Sequence, residues 1–176
     1  GADVHLLQPG LMAVPLWKSK VYPAAEHFAW WRKTFPGSPV SSLGVYMEKG
    51  GDLVQEYVAH CRARGVAPFI SVRLNDYHGL EHIDAAPGTK LPAFSSLAVD
   101  RVRREHPGWR IGGGGGGDDL FAKRDFQVLD WSKPEVRIRM AALVTELCEG
   151  YDLAGIELDF MRHFRLFNLE KTAPAE

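Results

Sequence analysis

The sequence predicts an α/β fold of the (β/α)₈-barrel type, with about half of the barrel present in this chain. Two observations predict it: helical and strand-like segments alternate along the chain, and polar residues collect where the strand-like segments end. Strands that alternate with helices form parallel βα units, and such folds bind ligands at the carboxyl ends of their strands. No glycine-rich phosphate fingerprint follows a strand, which favours a barrel over a dinucleotide-binding sheet.

The clearest unit is a helix followed by a strand in residues 52–75. Asp52 is suited to cap the helix, and apolar residues recur on one helical face until Gly65 ends it. Residues 69–75 then alternate between apolar and polar side chains, as a half-buried strand does. Near the start of the chain, residues 4–8 predict another strand.

The same order of elements recurs in residues 127–160. A short strand is predicted at 127–130, and Ser132, Pro134 and Glu135 form a capping box for a helix that runs to Gly150. Residues 154–160 predict a fourth strand.

A full barrel needs eight strands and typically about 250 residues. We therefore expect a single partial-barrel domain over residues 1–176, with open sheet edges through which copies of the chain could self-associate.

The composition argues against several classes of partner. The 176 residues are 45% hydrophobic and 24% charged with a net charge of -1, which indicates neither nucleic acid nor a membrane as a partner. Cys61 and Cys148 fall in helical patterns, and we expect both to be buried free thiols. The compartment stays open, because a secreted or periplasmic protein whose signal peptide was removed and a cytoplasmic protein both fit.

Two long connections separate the predicted elements, at residues 11–49 and 76–126. Loops of this length in a compact domain are usually functional lids or disordered segments. Residues 112–117 are six consecutive glycines, which predict a flexible linker. A phosphate cradle would instead need a strand before the glycines and a helix after them.

Glu157 and Asp159 are the candidate catalytic residues. Alternate residues of a strand share a face, so these two carboxylates point the same way, about 6.6 Å apart along the strand. Asp159 is nearer the carboxyl end, and because glycosidases place a carboxylate on each side of the scissile bond, we expect its partner beyond this chain. Arg73 is expected to pair with Glu157, either as a structural ion pair or as a group that keeps a catalytic carboxylate ionised.

Further polar and aromatic side chains follow the strands and are candidates for binding a substrate. Asp76, His78 and His82 could hold a metal ion, but their spacing matches no zinc signature, so we expect no metal and no cofactor. Trp131 is the best candidate for a platform under a sugar ring, although packing within the loops explains it equally well. The candidate substrate-binding residues are Arg73, Asn75, Asp76, His78, Asp130, Trp131, Arg162 and His163.

Four stretches of the chain together resemble a known family. They are PFISVRLNDYH (68–78), HPGWR (106–110), VLDWSKPEVR (128–137) and YDLAGIELDFMRH (151–163). These stretches resemble the barrel proteins described as glycoside-hydrolase-like, family-10-like, which are a bacterial group. The resemblance also takes in LLQPG and WKSKVYP near the start of the chain. It implies a carbohydrate-active protein, with a carbohydrate as substrate and the strand-end residues named above at its site.

The chain departs from the family pattern at two places, and two functional hypotheses stay open. Ala154 stands where such motifs usually have an aspartate, and the later strands that would carry a second carboxylate do not follow. A chitinase-type mechanism is excluded, because Met161 occupies the position of its terminal acid and a thioether cannot protonate a glycosidic oxygen. The hypotheses are a glycoside hydrolase or its N-terminal half, with Asp159 as the acid/base, and a non-catalytic carbohydrate-binding barrel or fragment.

Overall fold

Three parallel strands form one sheet in the computed structural model, in the order β1-β2-β3. The structure describes residues 3–10, 14–112, 124, 126–160 and 165–168. The strands are β1 (Val4–Leu7), β2 (Ala67–Arg73) and β3 (Gly155–Asp159). The helices are α1 (Ala24–Thr34), α2 (Ser42–Glu48), α3 (Leu53–Arg62), α4 (Ser95–Ala98), α5 (Arg101–Glu105) and α6 (Pro134–Gly150), with 3₁₀ turns at Leu80–His82 and Pro107–Trp109.

The prediction of a (β/α)₈ barrel, or of half of one, is wrong. In the described residues the sheet has three strands, too few even for half of an eight-stranded barrel. The prediction fails at 127–130, where Leu129 makes only an isolated antiparallel bridge to Arg110. Val128 and Leu129 are 0% and 3% exposed, so the short apolar run indicated burial rather than a strand. The fold is a small α/β domain.

The helix and strand predicted at 52–75 are confirmed. The Asp52 carboxylate accepts a hydrogen bond from the backbone N–H of Gln55 at 2.9 Å, which caps α3. After the helix, Gly65 has a φ of 66°, a backbone conformation that favours glycine. Strand β2 then begins and ends two residues earlier than predicted.

The long helix before β3 is also confirmed, but its predicted capping box is wrong. Lys133 is the N-cap of α6, and it makes no side-chain capping hydrogen bond. Ser132 instead donates its backbone N–H to Asp130 Oδ1 at 3.0 Å. The turn before the helix is therefore closed by an aspartate from the end of the preceding segment.

The main core lies between β2 and the helices α3 and α6. Ile70, Val72 and Leu74 alternate along and just beyond β2, and they are 0%, 0% and 4% exposed. Their cluster includes Val54 and Val58 of α3 and Val136, Met140, Leu143 and Leu147 of α6. Burying each of the larger apolar side chains contributes about 1.5–3 kcal/mol. This cluster fixes β2 as the central strand.

The connections at 11–49 and 76–126 contain helices and buried aromatic residues. Helices α1 and α2 lie in the first connection, and α4 and α5 lie in the second. A second core cluster joins the two connections, formed by Trp31, Phe35, Ile83, Leu91 and Val99. Trp17 belongs to the main core and is 1% exposed. Several loop aromatic residues therefore serve packing.

The structure tests the prediction for the two cysteines, but only a small part of the prediction for the glycine run. Cys61 is a buried free thiol, as predicted, whereas Cys148 is free but exposed, so that half of the prediction is wrong. Of the glycine run, Gly112 is described, and 113–117 lie outside the described residues. The linker prediction therefore stays a prediction.

Both edge strands of the sheet carry exposed apolar side chains. Val4 and Leu6 on β1 are 53% and 46% exposed, and Leu158 on β3 is 50% exposed. Within the described ranges, no strand pairs with the outer edge of β1 or of β3. Such edges offer unpaired backbone groups to another strand.

Candidate functional site

The carboxyl ends of β2 and β3 lie side by side, which brings two distant sequence segments together. In the parallel register Arg73 is opposite Asp159, and the backbone N–H of Leu74 donates to the Asp159 carbonyl at 3.0 Å. The carboxyl ends of parallel strands are where α/β folds collect functional side chains. We refer to Arg73, Asp76, His78 and Asp159 as the strand-end cluster.

Arg73 links two carboxylates of the strand-end cluster. Its Nη1 lies 3.0 Å from Asp76 Oδ2, and its Nε lies 3.9 Å from Asp159 Oδ2. The first contact is a charge-assisted hydrogen bond, whereas the second is longer than a hydrogen bond and acts through charge alone. The Asp76 side chain is 2% exposed and that of Asp159 is 24% exposed. Asp159 is therefore the acid of the pair that a ligand could reach.

Asp76 also holds His78 in place. Asp76 Oδ1 accepts hydrogen bonds from the backbone N–H of His78 at 2.8 Å and from its ring Nδ1 at 2.5 Å. With Arg73 on its other oxygen, this carboxylate accepts three donors, which is how a buried charge is stabilised. The contact places a proton on Nδ1 of His78. The ring of Tyr77 stacks on that of His78, with centroids 5.2 Å apart.

Asn75 is a buried residue next to the strand-end cluster that positions a neighbouring segment of the chain. It is 1% exposed, and its side-chain Nδ2 donates to the backbone carbonyl of Arg165 at 2.5 Å. Asn75 therefore holds the segment 165–168 against the end of β2. Because Asn75 is buried, a substrate could not touch it directly, and Asn75 could affect binding only through the residues around it.

Asp130 and Trp131 lie at the start of the turn into α6, close to the segment after β3. Asp130 is 2% exposed and closes the turn through Ser132. Trp131 donates its backbone N–H to the Leu166 carbonyl at 2.8 Å, and its ring packs edge-on against Phe160 at 5.6 Å. Trp131 is half-buried. These contacts support the packing interpretation of Trp131 and leave part of its surface for a ligand.

The predicted pair of Arg73 with Glu157 is wrong. The register places Glu157 opposite Ser71, two positions before the pair of Arg73 with Asp159, and Glu157 is exposed. Arg73 pairs with Asp76 and Asp159 instead. Two further predicted residues, Arg162 and His163, lie outside the described residues, as does Met161.

Sequence reasoning missed a group of buried charges near the strand-end cluster. Asp100, Arg103 and Arg139 are 0%, 5% and 9% exposed. Arg139 Nη2 lies 3.3 Å from Asp100 Oδ2. The stretch that carries Arg103 reads RVRREH, a pattern typical of a solvated helix face. Only the flanking apolar residue Val102 signals that part of this helix is buried.

A separate polar groove lies between α3 and the end of α6. Its volume is about 510 Å³, and its lining includes Trp17, Lys18, Asp52, Glu146 and Tyr151. The groove's central carboxylate, Glu146, accepts hydrogen bonds from Trp17 Nε1, Ser19 Oγ, Lys20 N and Val21 N. These four donors belong to one loop, so Glu146 anchors that loop.

Comparisons with known proteins assign the chain to no family. No protein-family model matches the chain, and no curated protein matches it. Among the described residues, no three His, Cys, Asp or Glu side chains converge as metal ligands would. In that same part of the chain, no helix is long and apolar enough to cross a membrane.

Proposed function

We propose that the strand-end cluster is a carbohydrate site of the glycoside-hydrolase kind, in which Asp159 is the acid/base. The observation that carries the proposal is the contact between Arg73 and Asp159. That contact joins the stretches 68–78 and 151–163, the two longest of those that resemble the glycoside-hydrolase-like family. The proposal concerns the site and does not depend on a barrel.

Each residue of the site has a separate task in this proposal. Asp159, which is partly exposed, donates a proton to the glycosidic oxygen as the bond to the anomeric carbon breaks through an oxocarbenium-like transition state, and a water molecule completes the hydrolysis at that carbon. Arg73 lies beside it as a positive neighbour, and Asp76 fixes the position of Arg73. The remaining candidate contacts to the sugar are His78 and Trp131, together with Arg162 and His163 as predicted from the sequence. Asn75 and Asp130 are buried and would act on the sugar only through their neighbours.

Hydrolysis needs a second carboxylate, and Glu157 is a weak candidate for it. Glu157 lies two residues before Asp159 on the same face of β3. Two acids on one strand approach a bond from the same side, whereas glycosidase carboxylates flank it. Asp76 is already occupied by Arg73 and His78. The second carboxylate is therefore expected from outside the described part of the chain.

The competing function is sugar binding without hydrolysis. The observation that favours it is that Asp76, Arg73 and Asp159 form a continuous ion network, as purely structural charges also do. In that case His78 and Trp131 would contact a sugar and Asp159 would only position Arg73.

Turnover of a glycan panel by the wild type and by Asp159→Asn tests the proposal. Removing the acid/base should reduce turnover by about 10²-fold or more while leaving sugar binding measurable by calorimetry. The control is Asp152→Asn, the same chemical change at an exposed residue that pairs with Arg62 on the surface. Undiminished turnover by Asp159→Asn would overturn the assignment. Binding without turnover by the wild type would favour the competing function.

A further inference from the structure

The sheet has one covered face and one open face. Helices α3 and α6 pack on the covered face, to which Ile70 and Val72 belong. Successive residues of a strand point to opposite sides, whereas directly paired residues of neighbouring strands point to the same side. The open face therefore consists of Val4, Leu6, Ala67, Phe69, Ser71, Arg73, Gly155, Glu157 and Asp159. The apolar members of this face belong to none of the core clusters that the described residues form.

The open face is apolar at one end and polar at the other. Towards the amino ends of the strands, Val4 and Leu6 are 53% and 46% exposed, and Phe69 beside Leu6 is half-buried. Towards the carboxyl ends, the face carries Glu157 and then the strand-end cluster. A contiguous apolar surface with a polar border is typical of a site where another molecule binds. The strand-end cluster therefore lies next to a surface that is suited to a partner.

Glu157 is the carboxylate of the open face that a second molecule could use. It is exposed, and it has no hydrogen bond or ion pair within the described part of the chain. Glu157 and Asp159 of one copy project from the same strand, so they cannot stand on opposite sides of a bond. A carboxylate that faces Asp159 across a sugar has to come from a molecule that covers the open face.

We propose that two copies of the chain pack their open faces together and complete each other's sugar site, with Asp159 of one copy as the acid and Glu157 of the partner subunit as the base. The inference rests on the proposed function of the strand-end cluster and adds the partner that completes it. Asp159 gives its proton to the glycosidic oxygen. Glu157 of the partner subunit takes a proton from the water whose oxygen bonds to the anomeric carbon as the glycosidic bond breaks. Packed sheets lie about 10 Å apart, and carboxylates that project into this gap from both sides suit the roughly 6.5–9.5 Å separation of inverting glycosidases.

A two-fold axis along the strands makes the open face complementary to itself. It places the apolar half of one copy on the apolar half of the other, which removes Leu6 and Phe69 from water. The polar halves then face each other at one end, where repulsion between like charges keeps them apart and leaves a cleft. Strand β1 of one copy lies over β3 of the other, so the open sheet edges also meet in this arrangement.

The size of the open face indicates a weak dimer. Strand β2 has seven residues, so the three strands make a face roughly 23 Å long and 14 Å wide. That is well under the roughly 800 Å² that each partner buries in a standard interface. We therefore expect dimers that form and exchange subunits readily, and turnover per mole of chain should rise with protein concentration.

Mixing two inactive variants of the full chain tests the proposal. Asp159→Asn removes the acid and Glu157→Gln removes the base, and each alone should reduce turnover of the best glycan of the panel by about 10²-fold or more. An equimolar mixture should recover about a quarter of the wild-type turnover, because half of the dimers are mixed and one of their two sites is intact. The control mixes Asp159→Asn with the double variant Asp159→Asn and Glu157→Gln, which contains no intact site and should recover nothing.

A second experiment tests the interface without touching the site. Leu6→Lys puts a charge on the apolar half of the open face, and its partly exposed position makes it tolerable to the fold. In sedimentation velocity this variant should be monomeric, and its turnover should fall at least tenfold at a concentration where the wild type is dimeric. The control is Ile138→Lys on α6, a residue that is 68% exposed and belongs to a helix on the covered face. It should keep the wild-type turnover.

The outcomes separate this inference from the proposed function. Two inactive variants whose mixture recovers nothing overturn the shared site and leave the carbohydrate function standing. Undiminished turnover by Glu157→Gln, or a dimer that Leu6→Lys does not weaken, also overturns the inference alone. Undiminished turnover by Asp159→Asn, or a wild type that turns over no glycan, overturns both.

Discussion

His27 is a buried histidine whose neutral form the fold requires. The side chain is 0% exposed, and its Nε2 lies 2.7 Å from the carbonyl oxygen of Ser96. A carbonyl only accepts, so Nε2 carries the proton and Nδ1 accepts from the Tyr22 hydroxyl at 2.8 Å. Burial lowers the pKa of His27 from 6.5 to about 4. Protonation would place an unpaired charge in the core and break the bond to Tyr22.

This pKa predicts a loss of stability in mild acid. Because the folded-state pKa lies below the unfolded one, the unfolded chain binds the proton first as the pH falls. The contribution of His27 is complete above pH 6.5 and is lost between pH 6.5 and 4, by up to about 3 kcal/mol. Urea unfolding across this range measures the effect. In His27→Gln the free energy of unfolding should depend less on pH, whereas the exposed-site control His60→Gln should keep the wild-type slope. An unchanged slope in His27→Gln would contradict the prediction.

Part of the site could be predicted residue by residue, and part could not. Arg73, Asp76, His78 and Asp159 could be chosen because polar residues after an apolar run mark the end of a strand. Their partners could not be chosen, because pairing depends on strand register. Sequence periodicity places Arg73 and Glu157 on the same face of the sheet. In the observed register Ser71 lies opposite Glu157, so Arg73 lies opposite Asp159 and pairs with it instead. Arg103 was missed because a charged helix face is normally solvated.

At the scale of the elements, the packing of β3 on β2 depends on Gly155. The residue lies opposite Phe69, and a Cβ at this position would lie 2.2 Å from Phe69 Cε1. The aromatic ring therefore covers the space that a side chain would need. Gly155 permits the close approach of the first residue of β3 to this ring.

We predict that Gly155→Ala destabilises the protein by about 1–3 kcal/mol, because the ring of Phe69 must move. The control is Gly150→Ala, where an added Cβ has no atom within 4 Å, and we expect no loss there. Denaturant unfolding measures both variants. The double variant Phe69→Leu with Gly155→Ala should be less destabilised than the sum of its single changes. An equal loss in the free energy of unfolding for the two alanine variants would show that the contact between Gly155 and Phe69 does not affect stability.

The elements differ in how far the sequence predicts them. Helices α3 and α6 and the strands β2 and β3 follow from periodicity and from the Asp52 cap, because each buries one regular face. The strand predicted at 127–130 was wrong because a short apolar run is equally compatible with a buried turn. The helices in the long connections were missed because they are short and their packing partners are far away in sequence. The number of strands, and with it the fold, could not be inferred from local patterns.

For the molecule as a whole, the two sheet edges that no strand of the described residues covers predict self-association. Leu158 on the outer strand β3 is 50% exposed, and a second copy of the chain is the expected occupant of this edge. Sedimentation velocity should show a dimer that increases with concentration, and Leu158→Lys should reduce it. The control is Ile138→Lys, which changes an exposed residue of α6 that is 68% exposed. A monomer at every concentration would contradict the prediction.

Amide NMR during titration with the best glycan of the panel shows where on the molecule the sugar binds. We predict that the amide signals of Asn75, His78 and Asp159 shift as the glycan is added, because these residues lie at the adjoining ends of β2 and β3. The polar groove near Glu146 is the natural alternative site. Shifts confined to Lys18 and Gln55, which line that groove, with none at the strand-end cluster, would contradict a sugar site at the ends of β2 and β3.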